Sequence, residues 1–275
     1  MPWSKRRQPA QDPSVQIDLE RPSAHQIFEQ VSRNARQELH RSASELAVSG
    51  LAGGMTMGLT ALGSAIALTH LGDSLVATFL SNLVYPLGFI AVIVGRAQLF
   101  TENTLYPVAL VLSERRHVGA TLRLWSIVFA ANVCGAFLFA LIASKTGALD
   151  AANVASLAHL GVRAAAYAAG HIFWSGVFGG WIIALVAWLV SGSHSVSGSV
   201  MLIYLLTFLV GAGGFAHCIA TSGEVISAVL TGQAPVFAYP RWLFFAATGN
   251  ICGGVLLVTL FEYGQVQETV DAQKP

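Results

Sequence analysis

The sequence contains few charged residues. Asp, Glu, Lys and Arg make up 11% of the 275 residues, against 54% that are hydrophobic, whereas a soluble domain carries about 25% charged residues. The charges are also segregated, because 13 of the 29 lie between Lys5 and Glu45. The net charge is only +1, which gives no indication of a nucleic-acid partner. The composition instead predicts an integral membrane protein that contacts the lipid bilayer.

Cysteine is scarce as well. Cys134, Cys218 and Cys252 all fall within apolar runs. Their spacing fits neither a zinc site nor the disulfide framework of a secreted domain. We interpret them as small buried apolar residues, and we expect no metal and no other cofactor.

The two ends of the chain are expected to lie outside the membrane. Residues 1–22 are polar and contain four prolines, which predicts a disordered tail. From Ser23 onwards apolar residues recur every four positions, which predicts an amphipathic helix over residues 23–42. This helix is expected either at the cytoplasmic membrane surface or against a neighbouring subunit. Residues 43–264 are expected to form a six-span channel domain, and 265–275 a C-terminal tail.

Six apolar segments account for the channel domain. A membrane core of about 30 Å needs about 20 helical residues. Four of the segments fit this length, but the second and fifth, with 38 and 35 residues, are too long for a single crossing. The predicted segments are 46–70, 75–112, 120–145, 164–190, 197–231 and 242–262.

The two long segments are predicted to break inside the membrane. The second carries Pro86, Gly88 and Gly95, and the fifth carries three glycines within 211–214. Irregular backbone at membrane depth persists only where it is buried in protein or lines a cavity, because lipid cannot satisfy its hydrogen bonds. Two broken helices therefore indicate a transport pathway.

Short motifs recur along the chain in the same order. Residues 49–54 (Ser-Gly-Leu-Ala-Gly-Gly) return as 175–180 (Ser-Gly-Val-Phe-Gly-Gly), and an Asn-x-Cys-Gly motif occurs at 132–135 and 250–253. An arginine, Arg123 or Arg241, lies nine positions before each asparagine. Small residues recur in many helix bundles, but three ordered matches favour a repeat. Each half then has three spans, so the second half is inverted, as in many transporters.

The repeat also relates the two predicted breaks to each other. Aligning Val94-Gly95 with the Val-Gly dipeptide at 210–211 places Thr101 opposite His217, with an offset of 116 positions. His217 lies at a predicted break, where an imidazole titrating near neutral pH can change the field in a pore. A neutral packing histidine is the alternative interpretation.

Three charged residues lie within the apolar segments, where charge is costly and usually faces protein or water. Arg96 and Glu102 flank the first break and are interpreted as an ion pair. The role of Glu224 stays open. Leu99, Phe100 and Phe215 are candidate hydrophobic gates, with core packing as the alternative for each.

The distribution of Lys and Arg predicts the orientation. Seven basic residues precede the first span and three more, Arg115, Arg116 and Arg123, follow the second, whereas the loop around Gly72 has none. Because cytoplasmic loops are enriched in Lys and Arg, both termini are expected in the cytoplasm.

Three stretches resemble motifs of the formate/nitrite transporter family. Tyr85-Pro86-Leu87-Gly88-Phe89 is similar to its Phe-Pro-Val-Gly stretch. The segment 97–103 (Ala-Gln-Leu-Phe-Thr-Glu-Asn) resembles Ala-Glu-Leu-Phe-Thr-Gly-Asn, and 214–220 (Gly-Phe-Ala-His-Cys-Ile-Ala) resembles Gly-Phe-Glu-His-x-x-Ala. The resemblance implies a homopentamer of the bacterial inner membrane, an aquaporin-like fold with one pore per subunit, and conduction of small monovalent anions.

The resemblance also implies roles for individual residues. The histidine matching His217 faces the pore centre and the threonine matching Thr101 bonds to it. The residues matching Leu99, Phe100 and Phe89 help to form constrictions, while Tyr85 and Asn103 belong to the same motifs. This chain departs from the family at Gln98 and Ala216, which replace glutamates, and at Glu102, which replaces a glycine.

These observations favour a channel or transporter for formate, nitrite or similar weak acids. A bare anion is strongly disfavoured in an apolar constriction and a neutral acid is not, so passage is expected to be proton-linked through His217. A channel for neutral solutes such as water or ammonia is the alternative. An intramembrane hydrolase using Ser175 and His217 is a remote third hypothesis, and no enzymatic activity is expected.

Overall fold

The protein is described by a computed structural model covering residues 22–72 and 74–272. The predicted disordered tail lies outside these residues except for Pro22. Within the described ranges the regular structure is entirely helical. The helices are α1 (Ala24–His40), α2 (Ala43–Leu71), α3 (Leu75–Ser81), α4 (Pro86–Val94), α5 (Tyr106–Glu114), α6 (Val118–Lys145), α7 (Ala151–Ala166), α8 (Ala169–Ser191), α9 (Val196–Ala212), α10 (Ser222–Leu230), α11 (Ala238–Cys252) and α12 (Leu260–Ala272), with a π-helical segment at Gly253–Thr259 and a 3₁₀ turn at Glu102–Thr104.

Five stretches of the described chain are long and apolar enough to cross a membrane: Ala43–Leu71, Leu75–Val94, Val118–Lys145, Ala169–Ser191 and Ala238–Gln267. The helix Val196–Ala212 is apolar but has only 17 residues. The protein is therefore a multi-span membrane protein.

Both long apolar segments are interrupted. The second loses its helix between Val94 and Tyr106, apart from the short 3₁₀ turn, and the fifth loses its helix between Ala212 and Ser222. The breaks coincide with the predicted glycine-containing stretches. Gly214 adopts a φ of +61° in the second break, a conformation that glycine reaches without steric cost.

Helix α1 begins with a capping box, in which the Ser23 hydroxyl accepts from the Gln26 N–H and the Gln26 side chain accepts from the Ser23 N–H. Its apolar face buries Phe28, Val31 and Ala35, and it packs mainly on α5, α12 and α8. The amphipathic sequence thus becomes a helix docked on its own subunit.

An ionic cluster ties α1 to the end of α5. Arg36 donates to Glu114 at 2.6 Å, and Arg116 and His117 also contact this carboxylate. Burial raises the pKa of Glu114, but the hydrogen bonds from His117, Arg36 and Arg116 outweigh it and lower the pKa from the ordinary 4.5 to about 2. The carboxylate is therefore ionised throughout the physiological range.

Helix α7 was not predicted from the sequence, which was interpreted there as a loop followed by the start of the fourth span. It is too short to cross the membrane and instead packs along α10, burying Leu157, Ala158 and Gly161. Gly161 lies directly against the backbone of Glu224, where a Cβ would collide with the carbonyl oxygen. A chain reversal at Tyr167 then leads into α8.

The two arginines of the recurring motif have equivalent contacts. Arg123 donates to the carbonyl of Arg41, the residue that caps α1, at 3.0 Å. Arg241 donates to the carbonyl of Tyr167, the residue that caps α7, at 3.0 Å. Helices α1 and α7 thus occupy matching places in the two halves of the chain.

The recurring glycines mark close helix packing. A Cβ on Gly54 would collide with the Asn132 carbonyl, and one on Gly180 would collide with the Asn250 carbonyl. These contacts join α2 to α6 and α8 to α11, which are the two most extensive helix pairs. Small residues permit this approach, and it brings each asparagine next to a break.

Candidate functional site

Asn132 anchors the first break. Its Oδ1 accepts from the Phe100 N–H at 2.8 Å, and its Nδ2 donates to the carbonyls of Gly50 at 2.7 Å and Gln98 at 2.9 Å. The Ser49 hydroxyl accepts from the Gln98 N–H at 3.1 Å. These bonds satisfy backbone groups that lipid could not, which allows the helix to end inside the protein.

Asn250 anchors the second break with the same set of bonds. Its Oδ1 accepts from the Cys218 N–H at 2.8 Å, and its Nδ2 donates to the carbonyls of Gly176 and Ala216, each at 2.8 Å. The Ser175 hydroxyl accepts from the Ala216 N–H at 2.8 Å.

These bonds correct the predicted pairing of the two breaks. Gln98 corresponds to Ala216, an offset of 118 positions, so His217 stands opposite Leu99 and not opposite Thr101. The same offset relates Arg96 to Gly214, whose φ angles are +60° and +61°. The sequence alignment was displaced by two residues because the Val-Gly dipeptides it used are not equivalent in the structure.

His217 is fixed through both ring nitrogens. Nδ1 accepts from the backbone N–H groups of Ala220 at 3.0 Å and Ile219 at 3.4 Å. Nε2 lies 2.8 Å from Thr101 Oγ1. Because backbone N–H groups can only donate, Nδ1 carries the lone pair, and the neutral imidazole donates its Nε2–H to Thr101. The threonine hydroxyl hydrogen is then available to a further acceptor.

An apolar row surrounds this polar pair. The ring of Phe89 meets His217 edge-on at a centroid distance of 5.0 Å, and Tyr85 follows Phe89 at 5.7 Å. Phe89, Leu99, Thr101 and His217 are each at most 1% exposed. We refer to this buried row, in which the Thr101–His217 pair supplies the polar side-chain atoms, as the constriction.

A cavity of about 340 Å³ adjoins the second break. Tyr85, Phe215, Ala216 and Thr221 bring its wall up to the second break. The charged or titratable groups that line it among the described residues are Tyr85, Arg163, Tyr167, His171 and Glu224.

A smaller cavity of about 60 Å³ adjoins the first break and α1. Its wall includes Leu99 and Asn103, and its charged or titratable groups among the described residues are Glu38, Arg96, Glu102 and Tyr106. The Gln98 Nε2 donates to Glu38 at 2.7 Å, and Asn103 donates to Gln98 Oε1 at 2.9 Å.

The two cavities have corresponding walls. Asn34 and Gln37 of α1 match Leu160 and Arg163 of α7 at the motif offset of 126, and Tyr106 matches Glu224 at the offset of 118. Segments at corresponding positions in the sequence therefore line the two cavities.

The predicted ion pair between Arg96 and Glu102 is wrong. No nitrogen of Arg96 lies within 4.0 Å of a Glu102 carboxylate oxygen. Arg96 adopts a left-handed conformation with a φ of +60° and is exposed, whereas Glu102 is buried. Both residues line the smaller cavity, but they do not meet across it.

Two of the candidate gates lie away from the row. Phe100 packs edge-on against Trp125 at 5.7 Å and Phe129 at 4.8 Å, and it lines an apolar groove between α6 and α11. Phe215 stacks on Phe178 at 5.1 Å in the wall of the larger cavity. Phe89, in contrast, packs edge-on against His217, and Leu99 is buried and lines the smaller cavity.

Ser175 has no catalytic base among the described residues. Its hydroxyl accepts from the Ala216 N–H and donates to the Gly214 carbonyl at 3.3 Å. His217 is already engaged by Thr101 and by its own backbone. The arrangement expected for a serine nucleophile is absent here, and Ser175 supports the break instead.

Comparisons with known proteins agree with this geometry. The family model described as formate/nitrite transporter matches residues 25–264. The inner membrane protein YfdC of Escherichia coli is 29% identical over 266 residues, covering 94% of this chain and 85% of that protein. A solved FNT family ion channel superposes with a TM-score of 0.78 at 19% identity, covering 88% of this chain and 99% of the channel.

A second solved structure, a pentameric formate channel with formate bound, superposes with a TM-score of 0.68 at 19% identity, covering 82% of this chain and 98% of that channel. The fold and the resemblance noted in the motifs around Phe89, Thr101 and His217 thus point the same way, to a channel or transporter and not to an enzyme. This chain belongs to the formate/nitrite transporter family.

Proposed function

We propose that the protein is a channel for small monovalent anions or their weak acids, such as formate or nitrite. The observation that carries the proposal is the Thr101–His217 hydrogen bond in an apolar constriction between two polar cavities. Such a constriction disfavours a charged solute, whereas a small neutral acid needs only one or two hydrogen-bond partners. The polar pair provides those partners within the constriction.

The pair couples passage to protons because it favours the neutral acid over the anion. His217 Nε2–H donates to Thr101, which leaves the threonine hydroxyl free to donate to the solute. To become charged, His217 would need a proton on Nδ1 and would have to release the Ala220 and Ile219 N–H groups. The pair therefore binds an acid that crosses with its own proton, so solute and proton move together.

The two halves of the chain form an inverted repeat of three spans each. The matched bonds of Asn132 and Asn250, and the matched arginine contacts on α1 and α7, support this arrangement. In it, α9 with the half-helix α10 is the fifth span, and the two breaks meet from opposite sides of the membrane.

The channel assembles as a homopentamer in a bacterial inner membrane, with both termini in the cytoplasm. The structural similarity to a pentameric channel supports the assembly, and the relative named an inner membrane protein supports the location. The basic residues before the first span support the orientation.

Flux through proteoliposomes tests the function. We expect formate uptake that rises as the external pH falls and that is lost in His217→Phe, which cannot donate a hydrogen bond. His217→Asn should keep some flux with an altered pH profile. His70→Asn, at an exposed position near the end of α2, is the matched control. Unchanged flux in both His217 variants would refute the mechanism, and solute uptake without any proton or anion dependence would favour a channel for neutral solutes.

A further inference from the structure

Two carboxyl groups face the proposed pathway, one in each of the two cavities. Glu224 lines the larger cavity and is 7% exposed, and Glu102 lines the smaller one and is 8% exposed. Among the described residues, neither carboxylate has a hydrogen-bond donor or an ion-pair partner. Both side chains are therefore more than nine-tenths buried, unpartnered and directed into a cavity.

The groups that face Glu224 come from several elements. Tyr85 precedes α4, Arg163 lies on α7, and Tyr167 and His171 lie around the start of α8. Helices α2 and α11 add Ser64 and Trp242 to the wall, and α6 adds no residue to it. The carboxyl thus shares the cavity with other titratable groups and forms no hydrogen bond or ion pair with any of these described residues.

The groups that face Glu102 are fewer. Helix α1 contributes Glu38, which is engaged by Arg41 at 3.0 Å and by Gln98. The break contributes Arg96, α5 contributes Tyr106, and α8 adds only the apolar Val190. The smaller cavity thus also holds an arginine and an unpartnered carboxyl that do not meet.

A buried carboxylate without a donor or a cation in contact is costly, whereas a neutral carboxylic acid costs much less. A cavity beside such a group gives an incoming anion access to its proton. His217 does not offer this, because its Nδ1 is held by two backbone N–H groups and its Nε2–H is donated to Thr101. The constriction therefore needs a proton donor outside itself.

We propose that Glu224 and Glu102 are the proton-exchange groups of this channel, one in each cavity. This deepens the proposed function and rests on it. In one direction, the Glu224 carboxylic acid transfers its proton to the anion and becomes a carboxylate, and the neutral acid crosses past His217. The Glu102 carboxylate then takes the proton and releases the anion. Water on the first side restores the proton to Glu224, and water on the second side removes it from Glu102.

The chemistry limits the substrates. One proton and one anion cross in each cycle, so the solute must accept a proton from a carboxylic acid. Formate, acetate and nitrite can do so, whereas chloride and nitrate are anions of strong acids and cannot. The inference therefore assigns weak acids, and not small anions in general, as the substrate class.

The test uses the full-length protein in proteoliposomes that contain a pH-sensitive dye. Formate and chloride uptake are measured at external pH 5 and pH 7.5, together with the protons that enter. The variants are Glu224→Gln and Glu102→Gln, with Glu224→Asp to restore the carboxyl. Glu262→Gln is the matched control, because this carboxyl lines neither cavity.

We expect wild type and Glu262→Gln to take up formate at least five times faster at pH 5 than at pH 7.5, with one proton per formate and little chloride. The two Gln variants should lose most of this acid stimulation, and Glu224→Asp should retain it. A wild-type pH profile in both Gln variants would overturn the inference while leaving the proposed function in place. Absence of formate flux in the wild type would refute the proposed function and this inference with it.

Discussion

Replacing Asn250 by alanine tests how the second break is held. Alanine removes three hydrogen bonds, those to the Cys218 N–H and to the carbonyls of Gly176 and Ala216. Asn250 is fully buried, so water does not replace the lost partner. A buried backbone group left without a partner costs about 1–3 kcal/mol, so three of them cost on the order of 3–9 kcal/mol.

Thermal unfolding in mild detergent, followed by tryptophan fluorescence, measures this loss. In a protein of this size 1 kcal/mol corresponds to about 2–4 °C in Tm, so Asn250→Ala should melt on the order of 10 °C below the wild type. Asn132→Ala should show a similar fall, because it removes the equivalent bonds from the first break.

Thr248→Val is the matched control on the same helix. Its hydroxyl donates only to carbonyls of its own helix, Phe244 at 2.8 Å and Phe245 at 3.1 Å, so its loss should cost less than about 1 kcal/mol. If Asn250→Ala and Asn132→Ala both melt within 2 °C of the wild type, the asparagines do not hold the breaks and the reasoning fails.

Three further predictions concern the polar pair, the glycine contacts and the ionic cluster. Thr101→Val keeps the shape of the side chain but leaves His217 Nε2 without a partner, so formate flux should fall at least tenfold while size-exclusion behaviour stays normal; normal flux would contradict the role of the pair. Gly54→Val and Gly180→Val should give little folded protein on size-exclusion chromatography, because each Cβ collides with a backbone carbonyl; normal yields would refute the close packing. The pKa of Glu114, which its hydrogen bonds lower from 4.5 to about 2, means that its ionised form stabilises the fold above pH 4.5 and that this stabilisation is lost as pH falls towards 2. Glu114→Gln should therefore melt below the wild type at pH 7, and the difference should shrink between pH 4.5 and pH 2; a constant difference would contradict the assignment.

The positions of the breaks were predictable from local sequence. Pro86 and the glycines at 95 and 211–214 cannot sustain a long regular helix through an apolar segment, and both helices end close to them. The lengths of the two segments independently predicted a break in each of them. These features depend on backbone chemistry and on membrane thickness, which a single sequence carries.

Contacts between segments that are distant in the sequence were harder to predict. Helix α7 was missed because its 16 residues show no membrane-length apolar run, and its partner α10 lies about 70 positions away; Asp150, a favoured N-cap residue directly before it, was the signal that could have found it. The pairing of Thr101 with His217 as repeat counterparts failed because a Val-Gly dipeptide is too short to fix a register. The two residues nevertheless contact each other, since the two breaks meet side by side.

The charged residues show the same limit. Arg96 and Glu102 flank the first break, which suggested an ion pair, but Arg96 has a left-handed backbone and is exposed whereas Glu102 is buried. The paired cavities and their unpartnered carboxyls depend on where four or more elements converge. Glu224 and Arg163 lie in the wall of one cavity, although they are about 60 positions apart in the sequence.

The central claim is that a weak acid crosses the constriction at the Thr101–His217 pair together with a proton. Its most direct test is an inward formate gradient imposed on proteoliposomes loaded with a pH-sensitive dye, compared with protein-free vesicles. We expect rapid acidification of the lumen that is matched one-to-one by formate uptake and is abolished by His217→Phe. Formate uptake without acidification, or equal acidification in His217→Phe, would contradict it.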